Sequence, residues 1–338
     1  MAQIVYVEQA ALAHPRTQSI LERTKHRHVE VIERYSEVFN SRAHSFRAQK
    51  QAPALILALK ENTFVHETPS QYETGGGAHY YFSHMLNCVY DCRYCFLQGM
   101  FRSAHYLVFV NYEDFAAQLS ETATQHADAA KPTWFFSGYD CDSLAFEPMT
   151  GFADYFVDVI QTLPNAVLEL RTKSTQIRPL LKREATPQVV VAASLSPEGV
   201  VSAVEHGTPS LVKRLRALKQ LQEAGWRIGI RFDPVLWHSA YQDRYRELVE
   251  HTFTELCPDQ IDSVTIGGFR VPKDFYKTMR SLYPDEPLLT IGLKTDKPMV
   301  RYPAQVEQAV VHYLRDLCLQ WVDQERVFAY LGETLSSP

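Results

Sequence analysis

The chain has 338 residues, 46% of them hydrophobic and 22% charged, with a formal net charge of −5. That is an ordinary folded-enzyme composition, which excludes a disordered or fibrous chain. Net acidity argues against a surface that grips nucleic acid all round, though a local basic patch is still allowed.

Residues 1–74 show no run of strand–helix units and are expected to form an α-rich N-terminal extension. Residues 16–38 read as a weakly amphipathic helix, and the basic cluster Arg23, Lys25 and Arg27 reads as a solvated helix end. Asn62 to Gly77 is a connector that ends in Gly75-Gly76-Gly77. An alternating pattern then begins. Strands are expected over 79–83, 132–137, 166–173, 188–195, 227–233 and 261–266. Helices are expected over 113–129, 152–163, 177–182, 208–225 and 241–256. Thr208-Pro209 should open the fourth helix, with a hydroxyl cap followed by proline in the first turn. Parallel neighbours need crossovers, so six strands interleaved with helices imply parallel β/α units. Right-handed crossovers close such units into a barrel or partial barrel over residues 75–270. Residues 271–338 form a C-terminal α+β extension, with helices over 272–282 and 303–322 and a last strand near 326–330. No run of about 18 apolar residues is present, so neither a membrane span nor a membrane partner is expected. The N-terminus lacks a signal-peptide pattern, which together with clustered cysteines suits a reducing, cytoplasmic location.

Three of the six cysteines stand in Asn87-Cys88-Val89-Tyr90-Asp91-Cys92-Arg93-Tyr94-Cys95, a C-x3-C-x2-C triad. Three thiolates can hold three irons of a [4Fe–4S] cubane and leave the fourth open to a substrate or cofactor. S-adenosylmethionine (SAM) is the cofactor that uses this spacing, and one-electron cleavage of its sulfonium yields a 5′-deoxyadenosyl radical. A structural zinc site wants four ligands. His84 is a possible fourth, but it precedes the triad and has no spaced partner.

Loops at the carboxyl ends of barrel strands build active sites. The cysteine loop follows the first strand. The same rule brings Ser137, Gly138, Tyr139 and Cys141 to the mouth after the second strand, Lys173 after the third, Ser194 and Ser196 after the fourth, and Arg231 and Asp233 after the fifth. Lys173 is a candidate to pair the SAM carboxylate. Gly138 permits close backbone approach. Ser194, in an apolar strand, needs a hydrogen-bond partner.

Beyond the triad, Val5-Tyr6-Val7-Glu8, Tyr94-Cys95-Phe96-Leu97-Gln98, Val110-Asn111-Tyr112-Glu113-Asp114, Arg171-Thr172-Lys173, Ser194-Leu195, Val204-Glu205-His206-Gly207-Thr208 and Ala224-Gly225-Trp226-Arg227-Ile228-Gly229 occur in order. With them the chain resembles the spore photoproduct lyase family of radical-SAM enzymes along nearly its whole length. The resemblance implies a partial (β/α)6 barrel, a [4Fe–4S] cluster, SAM, and a DNA substrate carrying a thymine photoproduct. The deoxyadenosyl radical would take hydrogen from C6 of the lesion, and a protein hydrogen would quench the product radical. It implies SAM contacts from Lys173 and Ser194; the barrel-mouth rule adds Ser137 and Gly138 as candidate cofactor-binding residues. It also implies a reductase, flavodoxin or ferredoxin as electron donor.

Two departures lie in the hydrogen-transfer set. The family's donor cysteine aligns with Tyr139, and Cys141 lies two residues on. Of the family's two relay tyrosines, Tyr94 matches and the other position is Phe96. Tyr94, Tyr139 and Cys141 are therefore the candidate hydrogen-transfer residues. A radical-SAM enzyme with a different nucleotide or small-molecule substrate, or a non-catalytic iron–sulfur or zinc protein binding nucleic acid, would carry the same triad.

Overall fold

In the computed structural model, residues 4–40, 45–68, 77–296 and 298–331 are described. Part of the expected connector, including Gly75 and Gly76, lies outside them.

The six expected barrel strands form at His79–Phe82, Thr133–Ser137, Ala166–Thr172, Val189–Ser194, Arg227–Val235 and Ile261–Gly268. They pair in that spatial order, every pair parallel. Val327–Tyr330 extends the sheet at one edge, parallel to Ile261–Gly268, and His66–Glu67 pairs antiparallel at the other. The result is a curled eight-stranded half-barrel sheet. Strands such as Val189–Ser194 are buried at every residue, as expected where helices cover a parallel sheet. Helices at Tyr112–Gln125, Phe152–Gln161, Leu211–Glu223 and Tyr241–Glu255 supply the crossovers.

The N-terminal expectation needs correction. Residues 16–38 are not one helix: Pro15–Arg23 is helical, and His28–Ile32 is a strand. That strand pairs with Ile4–Glu8, which pairs in turn with Leu55–Ala58, and then Tyr106–Phe109 follows, all in parallel. The region is thus a second α/β sheet rather than an α-rich extension. Its short strands lack clean alternation; Leu55–Ala58, for instance, is buried on both faces, so period-2 reading finds no signal.

The helix after Thr208-Pro209 begins at Leu211 with Ser210 as N-cap. The Thr208 hydroxyl bonds the Glu205 carbonyl instead. After residue 270, three short antiparallel strands, Arg270–Pro272, Lys294–Asp296 and Met299–Arg301, form a small sheet. Its Val271 and Val300 pack with Cys92 and Tyr94 in one core, so the C-terminal segment braces the cysteine loop.

Candidate active site

The cysteine loop is a short, pinned structure. Asp91–Cys92 pairs antiparallel with Glu205–His206, and the Arg93 amide donates to the Val204 carbonyl. The Cys95 amide donates to the Cys92 carbonyl, and the short helix Leu97–Met100 follows immediately. Gly99 of that helix meets the Phe275 backbone so closely that an added Cβ would lie 2.2 Å from its carbonyl oxygen. Lys50 clamps Asp91 at 2.6 Å from outside the loop.

Cys92 is buried, and Cys88 and Cys95 are partly buried. Burial pushes the Cys92 thiol up to about 12 and raises the other two. Such thiols need a cationic ligand to be held as thiolates. Zinc draws its thiolates to about 2.3 Å, whereas a cubane takes each thiolate on a separate iron. His84, the possible fourth zinc ligand, stacks on Phe152 at 3.6 Å in the core, and burial lowers its pKa to about 3. The donor set therefore fits a three-thiolate cluster with one open iron.

Lys173 faces this loop. Its ammonium lies 5.6 Å from the Tyr94 ring centroid. Burial opposes its charge, but Cys92 and Glu205 outweigh burial and leave its pKa above the ordinary value. Its backbone is fixed by Asp142, a residue that sequence reasoning missed. The Asp142 carboxylate accepts from the Lys173 amide at 2.6 Å, the Thr172 hydroxyl at 2.6 Å and the Leu144 and Ala145 amides at 3.0 and 2.9 Å. It thereby ties the loop after the second barrel strand to the end of the third.

Gly138 turns that loop with φ +84°, and an added Cβ would lie 2.7 Å from both the Arg171 carbonyl and Ser143 Oγ. Ser137 is buried, and its hydroxyl shares a 2.8 Å bond with Ser143 and donates to the Glu169 carbonyl at 3.0 Å. Its side chain thus serves the turn. Ser194 is buried at the end of the fourth strand, its carbonyl held by Arg214 at 3.1 Å. Arg231 forms a buried pair with Glu169 at 2.7 Å, and Asp233 pairs with Arg270 at 3.1 Å.

The three hydrogen-transfer candidates do not share one place. Tyr139 is 40% exposed, with its ring centroid 5.4 Å from Phe96 and 4.6 Å from Tyr81. Cys141 is buried in the N-terminal core with Val5, Val7, Leu55, Leu57 and Met85. Burial pushes its thiol well up. Residues two apart share a face only in an extended chain. Residues 139–141 form a bend instead, which separates Cys141 from Tyr139.

Tyr94 is buried, and its hydroxyl donates to the Glu205 carboxylate. Glu205 also accepts from Ser196 at 2.9 Å and Arg214 at 2.5 Å. The Arg214 and Glu205 side chains are 1% and 0% exposed. Burial opposes the Glu205 charge, but Lys173 and Arg214 hold its pKa below the ordinary carboxylate value. Sequence reasoning passed over Arg214; nothing in a helix beginning Leu211-Val212-Lys213-Arg214 marks one cation as the buried one.

A sequence model described as spore photoproduct lyase matches residues 1–294. Spore photoproduct lyase from Bacillus subtilis (strain 168) is 23% identical over 269 residues, which cover 78% of this chain and 76% of that protein. Spore photoproduct lyase from Geobacillus sp. (strain Y412MC61) is 24% identical over 291 residues, covering 83% and 82%. Among solved structures, spore photoproduct lyase complexed with dinucleoside spore photoproduct superposes with a TM-score of 0.82 at 19% identity, covering 98% of both chains. A mutant of that enzyme with bound AdoMet and dinucleoside spore photoproduct matches equally, at TM-score 0.82.

Proposed function

The chain belongs to the spore photoproduct lyase family, and we propose that it is a radical-SAM carbon–carbon lyase acting on a thymine photoproduct in DNA. The observation that carries this reading is the pinned cysteine loop facing the partly buried Lys173 ammonium beside the Gly138 turn. When bound, a [4Fe–4S] cluster and SAM supply a 5′-deoxyadenosyl radical by one-electron cleavage of a sulfonium C–S bond.

Each residue has a distinct part in this proposal. Cys88, Cys92 and Cys95 hold three irons. Lys173 meets the SAM carboxylate as a fixed cation, and its neighbours keep it charged. The backbone at Gly138 approaches the cofactor, and a side chain there would collide with the Arg171 carbonyl and Ser143. Ser194 lies at the floor of the site, and Ser137 acts indirectly by shaping the turn. Tyr139, exposed at the mouth, donates the hydrogen that quenches the product radical; Cys141, enclosed in another core, does not. The lesion is extruded from the duplex to reach the mouth, and a damaged pair costs less to extrude. A reductase or a ferredoxin- or flavodoxin-type protein supplies the electron in a cytoplasmic setting.

Anaerobic reconstitution with iron, sulfide and SAM, followed by incubation with a dinucleotide spore photoproduct and a reductant, tests this function. The expected products are 5′-deoxyadenosine and thymidylyl-thymidine. The pairing of Phe96 with Tyr139 in place of a thiol favours one other reading, a different lesion or nucleotide on the same scaffold. Formation of 5′-deoxyadenosine without thymidylyl-thymidine would select it.

A further inference from the structure

Four aromatic rings form a continuous ladder from the cysteine loop to the edge of the barrel sheet. Phe96 and Tyr139 lie 5.4 Å apart between centroids, Tyr139 and Tyr81 4.6 Å, and Tyr81 and His66 5.2 Å with planes 23° apart. Aromatic ladders usually serve packing alone. This one differs in where its hydroxyls fall. Tyr139 is 40% exposed rather than part of a core. On its cluster side stands Phe96, which has no O–H. The Tyr94 hydroxyl, in the same loop, is engaged by the Glu205 carboxylate in a buried ion cluster. On the other side of Tyr139 is Tyr81, which carries an O–H and has an imidazole stacked behind it.

We propose that Tyr81 is the relay partner of Tyr139, so that hydrogen reaches the site along Tyr81–Tyr139 from the His66 side rather than from the cysteine loop. The inference rests on the proposed lyase function. The Tyr139 O–H bond breaks, a C–H bond forms on the carbon-centred product radical, and Tyr139 is left as a phenoxyl. The Tyr81 O–H bond then breaks and the Tyr139 O–H bond re-forms, which moves the phenoxyl to Tyr81. One electron from the low-potential donor that the reaction already consumes, and one proton by way of the solvent-accessible His66 edge, restore Tyr81. Burial, followed by the Lys60 charge, lowers the His66 pKa, which keeps the imidazole neutral near pH 7 and able to pass a proton.

Tyr81→Phe keeps the ring and removes only the hydroxyl. In the reconstituted protein with a dinucleotide spore photoproduct, the first turnover should be unchanged, while later turnovers slow at least tenfold. A phenoxyl signal should accumulate in freeze-quenched electron paramagnetic resonance spectra, narrow with ring-deuterated tyrosine, and be absent from Tyr81→Phe/Tyr139→Phe. Unchanged multiple turnover with no phenoxyl signal would overturn the inference. So would a Tyr81→Phe protein that matches wild type while Tyr81→Leu loses activity, since the ring would then only pack. A wild-type protein that cleaves SAM and releases no thymidylyl-thymidine overturns the function itself, a result visible before any variant is made.

Discussion

The Tyr94 hydroxyl donates to the Glu205 carboxylate, and the same carboxylate neutralises Arg214 at 2.5 Å. One buried anion therefore holds the cysteine loop, the helix Leu211–Glu223 and, by its charge, Lys173. Removing either partner of a buried pair strands the other charge, at a cost of about 3–5 kcal/mol. Glu205→Gln should lose stability on that scale in denaturant unfolding. Tyr94→Phe, which removes one donor from a well-satisfied carboxylate, should lose about 1–3 kcal/mol. Equal losses in the two variants would show that Arg214 finds another partner.

Gly138→Ala puts a side chain 2.7 Å from the Arg171 carbonyl oxygen and Ser143 Oγ at φ +84°, so it should displace the mouth turn and lower stability. SAM binding by equilibrium dialysis should fall at least tenfold while iron and sulfide content stay at the wild-type level. Retained SAM affinity would make Gly138 a turn residue only.

Cys141→Ala should lower stability by about 1 kcal/mol through lost apolar burial and leave the ratio of thymidylyl-thymidine to aberrant products unchanged. Tyr139→Phe should shift that ratio strongly with little effect on stability, because its ring contacts remain. Product analysis by chromatography distinguishes the two, and a shifted ratio in Cys141→Ala would return the thiol to the site.

The pH dependence of folding should show Glu147. Burial raises its pKa from 4.5 to about 7, despite bonds from the Ala153 and Asp154 amides at 2.7 and 3.1 Å. A folded-state pKa above the unfolded value means that the folded chain binds the proton more tightly. The contribution is therefore full below about pH 4.5, is lost as pH rises through 7, and is then flat; it amounts to about 3 kcal/mol. Glu169 works in the opposite sense. Burial opposes its charge, but Arg231 and Arg171 outweigh it and hold the pKa at about 2, so its contribution is lost as pH falls from 4.5 toward 2. Glu147→Gln should flatten the slope between pH 4.5 and 7, measured by urea midpoints; an unchanged slope would assign it elsewhere.

Features encoded in local spacing were legible without coordinates. The C-x3-C-x2-C triad and the six barrel strands belong to this class, because thiol spacing and strand–helix alternation are short-range signals. The second sheet was not legible, since Leu55–Ala58 is too short and too uniformly apolar to declare a period. The Asp142 hub was hidden because an aspartate in a polar loop reads as a turn residue. The pairing of Glu205 with Arg214 was hidden because sequence does not say which charges are buried. The burial of Cys141 away from Tyr139 was hidden because the bend over residues 139–141 leaves no periodic signal.

The central claim is that this mouth takes hydrogen from a thymine lesion and restores two thymines. A dinucleotide spore photoproduct deuterated at C6 tests it most directly, with mass spectrometry of the 5′-deoxyadenosine formed under anaerobic turnover. The account predicts deuterium in 5′-deoxyadenosine together with released thymidylyl-thymidine. Undeuterated 5′-deoxyadenosine with intact photoproduct would contradict it.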